Sequence, residues 1–154
     1  MFWLGGQPAT EGMRAMAERG RTAPLDLDVA AAIATGNARA VLSGSDLGRS
    51  PGMVTLDFEV AVTHPLVTLV TMVAPGPDWF IGVSGLPLMA KGQWLDSLSV
   101  PLYPWDAGTD SGATYKAEDI RTLPAEPIRR LLGFPVAVAG AVPPLGTLTF
   151  TRQR

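Results

Sequence analysis

The chain has 154 residues, 47% of them apolar and 17% charged, the size and balance of one ordinary domain able to bury a core. Its formal charge is −2, and the twelve basic residues are spread so thinly that only Arg129 and Arg130 adjoin, which leaves no footprint for nucleic acid. The absence of cysteine excludes disulfides, thiolate metal sites and a cysteine nucleophile, and no apolar run reaches the roughly 18 residues of a membrane span.

The N-terminus, "MFWLGGQPAT", has neither a basic n-region nor a long apolar h-region and does not read as a signal peptide. "TEGMRAMAERG" predicts a short helix: Thr10 caps it, Met13, Met16 and Ala17 share a face, and Gly20 stops it. "APLDLDVAAAIATG" predicts a second, with Pro24 in the first turn, Leu25, Val29, Ala32 and Ile33 on one face and Gly36 at the end. After the loop "SGSDLGRSPG" the period changes to two. In "TLDFEVAVT", residues 55–63, Leu56, Phe58, Val60 and Val62 alternate with Thr55, Asp57, Glu59 and Ala61, which predicts a strand. A Thr-His-Pro turn leads into "LVTLVTMV", apolar on both faces and expected to be a central strand. A Pro-Gly-Pro turn precedes "WFIGVSGL"; "VPLY" and "GTLTFTR" complete the strands. Two short N-terminal helices followed by several short strands in turn-rich sequence indicate an all-β, antiparallel β-sandwich.

The chemistry-bearing residues gather in the turns. Asp78 stands in the proline-stiffened "PGPDWF". Asp106 and Asp110 stand in "LYPWDAGTDSG", a stretch with no helical or strand period, where Gly108 and Gly112 permit tight backbone. Such carboxylates are either ordinary turn residues or oxygen ligands for a hard cation such as calcium, which takes about six to eight oxygens in irregular geometry. Glu59, opposite Phe58 and Val60 on its strand, is either an exposed strand residue or a further ligand. Trp79 and Trp105, each beside an aspartate, read as plugs that hold the loops or as part of a binding surface. Two catalytic patterns are weak. The Asp-Ser-Gly of "TDSG" occurs once, where a shared-proton carboxylate pair needs two copies, and "GVSGL" falls one residue short of a nucleophile elbow. The single histidine, His64, sits in a turn and reads as a surface residue.

"PGPDWFIGVSGLPL" followed by "LYPWDAGTDSGATY" resembles the signature stretches of the spondin N-terminal domain family, of F-spondin and mindin type. The resemblance extends to "GMRAMAERG" and "TLPAEPIRRL", and so covers residues 10–132. It implies an extracellular, C2-like sandwich with a divalent cation at one end, calcium by preference. The metal carboxylates carry over to Asp78, Asp106 and Asp110, with Glu59 matching a strand glutamate near the same site. Met89 stands where the family often has cysteine, which points to a bacterial member, and the family's N-terminal strand and signal peptide have no counterpart here.

The reading is therefore a single spondin-like domain over residues 1–154, secreted or on the cell surface. It acts as a non-enzymatic, calcium-binding adhesion module whose metal-end loops meet a cell-surface or matrix protein or a glycan. The alternatives are a hydrolase using carboxylates or a metal-bound water, and a structural envelope domain in which the cation only staples loops. One histidine and no cysteine argue against a catalytic zinc.

Overall fold

The computed structural model describes residues 2–153. Both helices form where the sequence places them. α1 spans Glu11–Arg19, with the Thr10 hydroxyl accepting from the Met13 amide at 3.2 Å and Gly20 closing it in the left-handed region at φ 64°. That conformation returns the Gly20 amide to the Met16 carbonyl at 2.9 Å, and glycine adopts it without a Cβ penalty. α2 spans Leu25–Ala34; Val29 is its buried residue, with Leu25, Ala32 and Ile33 half-buried on the same face.

The strands are β1 (Leu66–Met72), β2 (Trp79–Pro87), β3 (Met89–Ala90), β4 (Gln93–Trp94), β5 (Ser97–Leu102), β6 (Pro104–Asp106), β7 (Arg129–Arg130) and β8 (Gly146–Thr151). They pair antiparallel throughout, in a four-stranded sheet of order β1-β2-β6-β7 and two-stranded sheets β3-β4 and β5-β8. The architecture is an antiparallel β-sandwich with two N-terminal helices. α1 lies over β1 and β2, and Met13, Met16 and Ala17 meet Trp3, Phe80, Ala107 and Ile128 in one apolar cluster. Trp3 stands edge-on to both Phe80 and Trp105, ring centres 5.1 Å apart in each pair, an arrangement that aromatic quadrupoles favour.

Three strand expectations are corrected. The strand expected over residues 55–63 does not form despite its alternation: apart from a single Ala61–His64 bridge, the stretch makes no backbone ladder with any described residue. Side chains help anchor the segment: Phe58 meets Phe150 edge-on at 6.1 Å, and Asp57 accepts from Gln153 at 3.0 Å. Met53, Val54, Leu56, Phe58, Val60 and Val62 remain exposed. β1 is the outer strand of its sheet, not a central one; Val70 and Met72 are apolar because they pack on the cluster beneath α1. Finally, Pro104–Asp106, expected as loop, is a strand between β2 and β7.

Candidate functional site

β6 builds the site. Its pairing sets Asp106 opposite Trp79, so Asp78, immediately before β2, and Asp106, the last residue of β6, emerge at the same end of neighbouring strands. The Ala107 amide donates to the Asp78 carbonyl at 3.2 Å and continues the pairing one step beyond the strands. Residues 108–111 then fold back along the 120–126 segment. Ser111 donates its amide to Ile120, Thr122 to Thr109 and Glu126 to Gly108, at 2.8, 2.9 and 2.8 Å. Gly108 sits at φ 74°, and a Cβ there would lie 2.1 Å from the Glu126 carbonyl oxygen, so both conformation and space demand glycine.

All three aspartates are buried: Asp78 is 0% exposed, Asp106 6% and Asp110 8%. Asp106 Oδ1 accepts from the Gly108 amide at 2.8 Å, and Asp110 Oδ1 from the Gly112 amide at 2.7 Å, two successive Asp-x-Gly turns. Asp110 Oδ2 accepts from the Ile120 amide at 3.1 Å, and Asp106 Oδ2 from Arg129 Nη2, also at 3.1 Å. Arg129 binds Glu126 as well. Burial works against its charge, yet the two carboxylates outweigh that cost and raise its pKa.

Asp78 differs. Its Oδ2 accepts from the Thr109 amide at 2.7 Å, the Thr109 hydroxyl at 3.2 Å and the Asp110 amide at 3.1 Å, while its Oδ1 is buried with no partner among the described residues. Loss of solvent pushes the carboxyl up from 3.8 to about 6; the Thr109 and Asp110 donors pull it down, and the nearby Asp106 charge adds to the rise. A buried acceptor without a donor is uncommon in native proteins and calls for a proton, a water or a cation.

Glu59 is not brought into this group. Its side chain is 90% exposed and reaches Arg39 at 3.5 Å, and it shares no hydrogen bond with the aspartates. Among the described residues, no three or more Asp, Glu, His or Cys side chains are already arranged around a common metal position. Trp79 is buried beneath Tyr115, ring centres 5.2 Å apart, and Trp105 packs on Trp3, so both tryptophans plug the base of the loops. The serines of the weak catalytic patterns donate to backbone, Ser84 to the Trp3 carbonyl and Ser111 to that of Ile120. His64 is engaged by the Gly36 carbonyl and the Thr63 hydroxyl, each at 3.0 Å. Sequence reasoning passed over Thr109, the main donor to Asp78, and Arg129, the cation on Asp106. Neither belongs to a local pattern, since their partners lie 31 and 23 residues away.

The Spondin_N family model matches residues 1–135, which include the helices, the core strands and every aspartate of the site. The chain belongs to this family. It is 32% identical to human Spondin-2 over 163 residues, which cover 99% of the chain and 49% of that protein. Rat Spondin-2 is 31% identical over the same share of each chain. Rat Spondin-1 is 32% identical over 136 residues, 85% of the chain and 17% of that protein. The chain thus spans about half the length of Spondin-2 and a smaller fraction of Spondin-1. The spondin likeness takes in both Asp-x-Gly turns and the Pro-Asp-Trp-Phe stretch that carries Asp78.

Proposed function

We propose that this spondin-family chain is a non-enzymatic, extracellular adhesion-type module whose acidic loops bind calcium and present a surface to a protein or glycan ligand. One observation carries the cation: the orphaned Asp78 Oδ1, fully buried beside the Asp106 carboxylate at one end of the sandwich. A hard divalent ion satisfies that oxygen and neutralises a charge that burial otherwise opposes. Asp78 and Asp106 are the residues that would hold it, with Asp110 at the edge of the same loop. Carboxylate oxygens that accept one N–H keep a second lone pair, so the turn hydrogen bonds and ligation are compatible. Glu59, exposed and paired with Arg39, is left out of the proposed set.

The test is thermal unfolding with calcium and with chelator, alongside metal analysis. At a hundredfold excess over its dissociation constant, calcium binding to the native state alone adds roughly 2.7 kcal/mol, and chelation removes it. Asp106→Asn should weaken binding, whereas Asp57→Asn, which removes only an exposed charge and leaves an oxygen to accept from Gln153, should not. Coincident melting midpoints in protein shown to be metal-free would exclude the site.

A further inference from the structure

A cleft of about 370 Å³ lies beside the acidic loop, lined by Arg14, Glu18 and Arg19 of α1 and by Asp110, Asp119 and Arg121. The three cations and three anions are not equivalent. Arg14 is taken up within its own helix: Nε donates to Glu11 at 2.9 Å, Nη1 to Glu18 at 2.8 Å, and Nη2 also reaches Glu11. Asp110 is taken up by the Gly112 and Ile120 amides. Arg19, Arg121 and Asp119 are exposed and make no ion pair among the described residues. Arg121 does face α1, where it adds to the hold of Arg14 that keeps the Glu11 carboxyl below its usual range. The cleft side chains with neither an ion pair nor a hydrogen bond among the described residues therefore amount to two guanidiniums and one carboxylate.

We infer that this cleft binds a monoanionic sugar acid, its carboxylate on Arg19 and Arg121 and its hydroxyls on Asp119. A guanidinium fork matches a planar carboxylate. Amide hydrogen bonds leave the charge of Asp110 in place, and together with Glu18 and Asp119 it opposes a dianion such as phosphate more than a single negative charge. A carboxylate in the wall accepts from hydroxyls, which an aliphatic acid lacks. No aromatic ring lines the cleft, so a neutral sugar finds no stacking platform there. The volume lies near the lower end of the roughly 300–1,000 Å³ of small-ligand sites, in keeping with a ligand of one or two rings. The inference uses the arginines and does not rest on bound calcium.

The experiment is an NMR titration of the full chain with glucuronate, methyl glucoside, acetate and inorganic phosphate, each in calcium and in chelator. Glucuronate should bind with a dissociation constant on the order of 1 mM in both conditions, methyl glucoside and acetate at least about tenfold more weakly. Arg121→Gln and Arg19→Gln should each weaken glucuronate about tenfold, and Lys91→Gln, outside the cleft, should change nothing. Arg19 and Arg121 are exposed, so both variants are expected to fold, and an unchanged amide spectrum checks this. Equal binding by wild type and the arginine variants, or no glucuronate binding at all, overturns the site. Acetate or phosphate binding as tightly as glucuronate overturns the sugar-acid assignment. Loss of the calcium response alone, with glucuronate binding intact, sinks the cation reading and leaves this one standing.

Discussion

Asp78→Asn isolates the electrostatic cost that the fold carries at the acidic loops. The carboxyl is fully buried and stands near 6 in the native state against an ordinary 3.8, a gap equivalent to about 3 kcal/mol. Because the native value is raised, the contribution is favourable at low pH and is lost as pH rises. Below about 3.8 both states are protonated. Between 3.8 and 6 the unfolded chain releases its proton while the native state retains it, so stability falls; above 6 the full penalty is present. Asparagine removes this titration. It keeps one oxygen for the Thr109 and Asp110 donors but sets an amide group where Oδ1 lacks a partner, at a pH-independent cost of about 1–3 kcal/mol. The absolute difference between the proteins thus mixes two effects, but its pH dependence does not. In chelator, urea denaturation from pH 4 to 7.5 should show the variant gaining about 2.5 kcal/mol on wild type, since part of the gap is already lost at pH 4. Saturating calcium should abolish that gain, because the ion holds Asp78 ionised. A difference that stays constant within about 0.5 kcal/mol, which is well below the expected shift, or one that moves the other way, would refute the buried, unpaired state of this carboxylate.

Two further outcomes follow from packing. Gly108→Ala should destabilise by more than about 2 kcal/mol and abolish any calcium response, because its Cβ would strike the Glu126 backbone oxygen. Gly92→Ala, at φ 77° in open space, should cost only about 1 kcal/mol; chemical denaturation compares them. Phe80→Ala, which empties the space beneath Trp3, should cost about 3–5 kcal/mol, while Phe134→Ala, 76% exposed, should fall within about 0.5 kcal/mol of wild type.

How far the fold was legible depended on how local its causes are. α1 was fully readable because Thr10, the apolar face and Gly20 all act within eleven residues, and each does what its chemistry predicts. β2 and β8 were readable for the same reason. Residues 55–63 carry as clean an alternation as any segment, yet form no strand. Period two shows that a segment suits a ladder but cannot supply the neighbour that completes it. The converse holds for β6 and β7. Pro104–Asp106 and Arg129–Arg130 are too short to show a period, and they are strands only because β2 pairs with one and that one with the other.

The acidic loop was legible at two depths. Its aspartates were readable as residues with a task, and the Asp-x-Gly spacing, present twice, already holds the turn chemistry that Asp106 and Asp110 perform through Oδ1. What the sequence could not display is the division of labour among three carboxylates buried together. Arg129 answers the charge of Asp106 from 23 residues away, and two backbone amides satisfy Asp110. Asp78 receives three donors on one oxygen and none on the other. Three negative charges faced by one bonded arginine leave the cluster short of positive charge, and a buried group in that position takes up a proton or a cation. The two are alternatives at the same oxygen. Proton uptake by the chelated protein below pH 6 and calcium uptake above it should therefore compete, and calcium affinity should decline as pH falls through the range in which Asp78 titrates.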